Sequence, residues 1–423
     1  MFKAINNRVI KGGKPYVFGL FSALIFIFIA IPAKADVVTD WNEIADAIIV
    51  TNAKRAPGAA LVDMAYVHAA IYDAVNAIDG RHSVYAVRIS NVPASASKEA
   101  AAIAAAFYVL KTLFPNQQSF LETKYSENLA LIQDGDSKTD GIAVGETVAT
   151  RFLEKRAKDG RNADVPFIQK TNAGAWQPTL PAFAPPLTPW ISQMQPFMIA
   201  APSQFRPAGP PAFTSRKWAR DFNETKAFGD LNSRIRSAEQ TEIGRFYCEH
   251  AGSQLSRNMR NFAANQKIGV EDNARLFAMV YLTVADSIIA AWDAKYHFGY
   301  WRPITAIRAA DSDNNETTVQ DANWTPLMPT PEHPEYPAAH GSVTAAYAEA
   351  LRYFFKTKNI NITLSSSVTG TSRAFRNTED LIKEIVDARV YGGMHYRTSG
   401  EDGVLIGRNV ARRMAKHFFQ PAR

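Results

Sequence analysis

Apolar residues along this chain recur at steps of three and four, with almost none of the alternation that builds strands. From Leu61 the apolar positions run Met64, Val67, Ile71, Val75 and Ile78, which is one buried stripe of a helix. Alanine-rich stretches of the same period follow over 96–113, 116–133 and 138–157. Helical patterns resume over 215–228, 236–265, 271–297, 340–357, 378–394 and 402–418, with Asn-, Gly- and Ser-rich connectors between them. The pattern predicts an all-α protein, a large helical bundle forming a single domain over residues 36–423. One interval departs from it. Residues 166–211 hold eleven of the 23 prolines, together with Trp176, Phe183, Trp190, Phe197 and Phe205. Proline forbids long helices there, and so many aromatic side chains are foreign to a disordered linker, so an ordered loop that wraps the bundle is expected.

The first 35 residues read as a cleaved export signal. Lys3, Arg8, Lys11 and Lys14 precede an apolar run from Val17 to Ile31, and Ala33-Lys34-Ala35 fits a small-x-small cleavage site. The reading places the mature protein outside the cytoplasm, periplasmic or secreted, with no stable membrane insertion after cleavage. The leader also carries five of the 47 basic residues and no acidic one, so the mature balance is 42 against 40, or +2. Arg408, Arg412 and Arg413 form only a short basic cluster at helical spacing, and a nucleic-acid partner is not expected. The single cysteine, Cys248, rules out an internal disulfide and any Cys-x-x-Cys site. It falls in an apolar-periodic stretch and reads as buried filler. A homo-oligomer is left open by the sequence.

Three segments of the last third, within 290–400, concentrate cationic and imidazole side chains. In Ala291-Trp-Asp-Ala-Lys-Tyr-His-Phe-Gly-Tyr-Trp-Arg-Pro303, Lys295 and Arg302 stand seven apart, with Gly299 ending the helix between them; alone, they read as cations stacked on neighbouring aromatic rings. In Pro334-Glu-Tyr-Pro-Ala-Ala-His-Gly-Ser342, His340 opens a helix, where free backbone N–H groups favour an anion and an imidazole can exchange protons with it. In Ala388-Arg-Val-Tyr-Gly-Gly-Met-His395, Arg389 and His395 are six apart, and Gly392 and Gly393 let backbone approach a ligand or another helix. His395 alone fits a metal ligand, a nucleophile or a core residue.

In that order, Lys-x6-Arg-Pro, Pro-x-x-His and Arg-x5-His resemble the vanadium-dependent haloperoxidase and phosphatidic acid phosphatase type 2 superfamily. The segments His68–Ile78 and Pro202–Pro211 extend the resemblance to the bacterial haloperoxidase-like branch. The resemblance implies that Lys295, Arg302, Arg389 and the backbone N–H of Ala339 hold vanadate, with phosphate able to take the same place. It implies that His395 is the vanadium ligand or, in a phosphatase, the nucleophile, and that His340 is the acid/base. The implied activity is oxidation of halide by hydrogen peroxide, with bromide or iodide favoured over chloride. A periplasmic acid phosphatase acting on phosphate esters through a phosphohistidine is the alternative, and a catalytically impaired oxyanion-binding relative is a third. Two departures from the family pattern stand out. Ala338 and Ala339 replace a Ser-Gly pair before His340, and Ala388 and Ser399 stand where a serine and a histidine-orienting aspartate are usual, so a backbone carbonyl is expected to orient His395. His297 and His333 are candidates for shaping the halide or substrate approach. His68, Asp73 and Asp79 share one helical segment, which helix packing and capping explain without a metal.

Overall fold

A computed structural model describes residues 36–422; the export-signal reading of residues 1–35 lies outside the described residues. Thirteen α-helices follow one another among them: α1 (Val37–Asp46), α2 (Pro57–Asp79), α3 (Lys98–Leu113), α4 (Gln118–Leu129), α5 (Asp136–Arg156), α6 (Arg216–Gly229), α7 (Ala238–Phe246), α8 (Ala251–Ala264), α9 (Val270–Phe298), α10 (Pro303–Arg308), α11 (Ala339–Phe355), α12 (Thr378–Tyr391) and α13 (Arg397–His417). The fold is all-α apart from one antiparallel hairpin, β1 (Ile362–Ser365) with β2 (Ser372–Phe375), paired Ile362 to Phe375 and Ser365 to Ser372. That hairpin lies in a connector the helical periodicity left without structure. The 236–265 stretch, expected as one helix, is two helices, α7 and α8, broken at Tyr247–His250. The last helix starts at Arg397 rather than 402. Cys248 sits in that break and is only half-buried, so it is not core filler.

The core is organised on α9, which packs against α2, α11 and α13 and is buried along nearly its whole length. By length and apolar composition α9 is a candidate membrane span, which the sequence reading did not anticipate. Its place inside the bundle, with Asn273, Thr283, Asp286, Ser287 and Lys295 also buried, accounts for that composition. Gly299 ends α9 with φ +58, a conformation that costs glycine little, and Pro303 at the first position of α10 restarts the helix one residue after Arg302.

The proline-rich interval is ordered. Trp176, Trp190 and Phe197 are buried, while Phe183 faces solvent. Two carboxylates of α9 tie it down. Asp286 accepts the backbone N–H groups of Phe197 (2.6 Å), Met198 (2.6 Å) and Ile199 (2.8 Å), and Asp293 takes two 2.7 Å hydrogen bonds from Arg206. On α2, Asp73 does the same for Tyr85, Ala86 and Val87, and His68 stacks on Tyr281 beside Asn42. Those two residues hold structure, as helix packing and capping predicted.

Small residues bring α11 and α13 together. A Cβ on Gly341 would lie 2.6 Å from the Gly400 carbonyl, and a Cβ on Gly403 would collide with the Ala338 carbonyl. This contact fixes the start of α11, where His340 stands. Gly403→Ala is therefore expected to destabilise the protein by about 1–3 kcal/mol through overpacking. The readout is the midpoint of thermal or denaturant unfolding, and an unchanged midpoint would show that the two helix starts are free to separate.

Candidate active site

The three segments are stitched together by backbone hydrogen bonds before any side chain is considered. Glu335 N donates to Tyr300 O (2.8 Å), Ala338 N to Ser399 O (2.9 Å), and His395 N to Arg389 O (3.3 Å). Gly393 adopts φ +72 where a Cβ would lie 2.6 Å from Gly229 O, so the turn between Arg389 and His395 passes against the end of α6 with no room for a side chain.

Around this frame all five charge- and proton-bearing residues singled out from the sequence converge. Arg302 is fully buried and donates from Nε to His333 O (2.9 Å), from Nη2 to His333 Nδ1 (3.0 Å), and from Nη1 to Met394 O (2.9 Å) and His395 Nε2 (3.2 Å). Lys295 is also fully buried and donates to the carbonyls of Pro334 and Glu335, both at 2.8 Å. Arg389 reaches Tyr247 O (3.3 Å) and Met394 Sδ (3.0 Å), and its Nε is buried without a partner. The cations are thus held by carbonyls and imidazoles rather than stacked on rings. Ala338 occupies the cap position of α11 without supplying a capping side chain, so the first N–H groups of that helix, including Ala339's, have no side-chain acceptor.

The group that sequence reasoning missed is Glu335. Its fully buried carboxylate accepts from His395 Nδ1 (2.9 Å), from the backbone N–H of Tyr396 (3.0 Å) and from the Ser399 hydroxyl (2.6 Å). A carboxylate on Nδ1 and a guanidinium donor on Nε2 define one tautomer, with the proton on Nδ1 and a lone pair at Nε2. The orienting role expected of a backbone carbonyl therefore belongs to Glu335, and Ser399 supports it. The clue available in the sequence was the acidic residue inside Pro334-Glu-Tyr-Pro337. His333, named only as a shaping residue, is bonded directly to Arg302, whereas His297 is exposed at the surface against Phe298.

The electrostatics follow from burial. Three cations face one carboxylate, an excess of two positive charges if all are ionised. Burial, then the neighbouring Arg302, holds Lys295 well below the ordinary lysine range. Burial lowers Arg302 to about 9 and also lowers Arg389. Burial likewise pushes Glu335 up to about 7, against the opposing pull of Ser399 and the cations. His340 and His395 are held well below 6.5, first by burial and then by Arg389 and Arg302 respectively. Both imidazoles are consequently neutral near pH 7.

Beside this cluster lies a cavity of about 490 Å³ whose walls include Ala339, His340, His333, Arg389 and Met394. Lys295, Arg302, Glu335 and His395 stand behind that surface rather than on it. The arrangement suits a small, multiply charged oxyanion. It offers surplus buried positive charge, a guanidinium nitrogen without an acceptor, an uncapped helix start, and an imidazole lone pair.

Anion affinity is expected to fall as pH rises. Glu335 gains negative charge through about 7, and Lys295 loses its proton at a lower pH than an ordinary lysine; both changes oppose an anion. Tungstate, a dianion across this range, should bind more weakly from pH 6 to 8, by up to about one decade per pH unit for each linked proton. Glu335→Gln keeps an acceptor for His395 Nδ1 and should flatten the step near pH 7. Calorimetric titration decides, and affinity that climbs with pH would contradict the assignment.

Residues 275–423 match a family model described as the VCPO second helical-bundle domain. Over 196 residues the chain is 26% identical to vanadium chloroperoxidase of Curvularia inaequalis, covering 37% of this chain and 31% of that protein, so the match spans about a third of the relative's length. A solved structure of the first bacterial vanadium-dependent iodoperoxidase superposes with a TM-score of 0.77 at 24% identity, over 90% of this chain and 97% of that one. A holo-type bacterial vanadium-dependent chloroperoxidase superposes with a TM-score of 0.72 at 18% identity, over 88% and 93%. The structural likenesses establish the fold, and the family model falls on the segments that carry the site. Residues 275–423 thus resemble the second helical-bundle domain of the vanadium chloroperoxidases, and the chain has the helical fold of the bacterial vanadium-dependent haloperoxidases.

Proposed function

We propose that this protein is an exported, vanadate-dependent haloperoxidase that uses hydrogen peroxide to oxidise bromide or iodide to a hypohalous acid. The observation that carries the reading is the His395 imidazole. It is neutral, fixed by Glu335 with its proton on Nδ1, and its Nε2 lone pair meets the guanidinium of Arg302 inside a positively charged cluster. The donor set fits vanadate. Arg389, with its partnerless Nε, and the uncapped start of α11 at Ala339 would donate to oxyanion oxygens from the cavity side, and Arg302 and Lys295 from behind. His395 would be the single protein ligand to the metal. Bound vanadate would supply a Lewis-acidic centre at which peroxide becomes able to oxidise halide.

The chain's own residues then have separable tasks. Lys295, Arg302 and Arg389 neutralise oxyanion charge, and the guanidiniums do so with planar, directional donors. Glu335 holds His395 in one orientation and one tautomer, which a metal-bound or nucleophilic imidazole needs. His340 stands on the cavity wall, neutral while the cluster lacks an anion, and takes a proton from peroxide at a ring nitrogen. A nearby oxyanion raises its basicity, so the proton is retained long enough to be returned to the departing oxygen.

The test is bromide- or iodide-dependent halogenation of a phenolic dye with peroxide. Activity should require vanadate. His340→Ala should reduce it by about 10²–10⁴-fold while tungstate still binds. Glu335→Ala should cost roughly 10–100-fold, and Glu335→Gln much less. Efficient phosphate-ester hydrolysis without halogenation would replace this reading with the phosphohistidine phosphatase. Absence of vanadate binding at millimolar concentration would replace it with an impaired relative.

A further inference from the structure

A second cavity is built from parts that the oxyanion cluster does not use. It is an open groove of about 560 Å³ between α8 and the β1–β2 hairpin. Its two walls carry matching rows of polar side chains. Along α8 and its C-cap, Asn258, Asn261 and Asn265 fall at steps of three and four, so they share one face over about 10 Å of helix. Along β1 and the residue before it, Asn361, Thr363 and Ser365 recur at every second position, on one face over about 13 Å. Ser372 stands opposite Ser365 on β2. The buried Asn258 clips the walls together, its Oδ1 accepting from Ser365 N (2.8 Å) and its Nδ2 donating to Ser365 O (3.1 Å).

The lining is chemically uniform. In a chain in which 21% of residues are charged, no charged residue lines this groove among the described residues, so an ion finds no partner there. The apolar ring of Phe262 is only 5% exposed, which leaves no recess for an apolar group. What remains are amides and hydroxyls, groups that both donate and accept. The side chains of Asn261, Asn361, Thr363 and Ser372 make no hydrogen bond to the described residues. Asn265 and Gln266 use their amide nitrogens on the Asn261 and Phe262 carbonyls and keep their oxygens free. A matching partner is neutral and both donates and accepts along its length, which is the chemistry of sugar hydroxyls. We infer that this groove binds a neutral oligosaccharide chain, laid between the helix row and the hairpin row. The backbone of an extended peptide would also match the amides, but its side chains need pockets that these walls do not offer. No lining residue belongs to the oxyanion cluster, so the inference stands independently of the haloperoxidase reading, and the groove would hold the protein to a neutral polysaccharide while its site works elsewhere.

The probes are dextran, laminarin and hydroxyethyl cellulose, neutral glucans of different linkage, cast into native gels through which the full chain migrates. Alginate serves as the charged control, and a synthetic Ser/Gln-rich peptide, titrated by calorimetry, as the backbone control. Wild type should be retarded by at least one glucan and should bind neither control. Asn261→Ala combined with Asn361→Ala removes a free amide from each wall, and Ser372→Trp fills the groove; all three positions are exposed. With two hydrogen bonds lost or the space filled, each variant should bind the glucan about 10-fold more weakly or worse. Each should unfold at the wild-type midpoint and keep the wild-type activity at the oxyanion site. The inference is overturned if no glucan retards wild type, or if both variants are retarded as wild type is. Binding of alginate or of the peptide in place of the glucans would overturn it equally.

Discussion

Buried positive charge that the protein does not itself neutralise is the constraint on which the site depends. Lys295, Arg302 and Arg389 are almost wholly withdrawn from solvent, and the carboxylate of Glu335 is the acidic partner set among them. Burying an ion without an opposite charge costs several kcal/mol. The protein lowers that cost with oriented carbonyls, which take both contacts of Lys295 and two of those of Arg302. Carbonyl dipoles stabilise a cation without cancelling its charge, so the cluster still attracts an anion. Burial first, and the neighbouring cations after it, depress the proton affinities of Lys295, Arg302 and both imidazoles.

Placing that excess correctly requires segments about ninety residues apart to meet within hydrogen-bond distance, and the fold does this with few devices. The central helix α9 carries Lys295 on its last turn, and its glycine terminus turns the chain so that Arg302 reaches the same point. Helix α11 starts there because glycines of α13 admit its backbone, and the Gly392–Gly393 turn returns His395 toward Arg302. Glu335 joins the parts chemically. One of its carboxylate oxygens holds the His395 ring and the Tyr396 backbone, and the other holds Ser399 on α13. Structure and chemistry therefore share the residue, and removing its carboxylate altogether alters both the orientation of His395 and the charge balance of the cluster.

Most of the helices were legible because burial on one face imposes its period on the sequence, as in α2 from Leu61 to Ile78. The break between α7 and α8 was not, because the apolar period runs across Tyr247–His250 while the backbone turns there toward the site. Convergence of Lys295, Arg302, His340, Arg389 and His395 was legible only through the joint order of three motifs, since each alone has an ordinary structural explanation. Glu335 was hidden for a physical reason: it lies in an irregular proline-flanked segment, where no periodicity marks a residue as buried. Ser399 looked like the loss of an orienting acid. The structure shows the acid supplied from another segment, with the serine hydroxyl bonded to it. The cavity beside the site was also invisible, because its walls are drawn from several helices and the loops between them, and each contributor is unremarkable in its own stretch of chain.

The central claim is that the buried cluster surrounds one tetrahedral anion with His395 as its single covalent partner. The most direct measurement is a crystal structure of the protein with vanadate bound. The account predicts vanadium bonded to His395 Nε2, with oxygens accepting from Lys295, Arg302, Arg389 and the start of α11, His340 beside the bound group, and Glu335 still on His395 Nδ1. Vanadate found elsewhere, or His395 Nε2 remaining on the Arg302 guanidinium with the anion outside the cluster, would contradict it.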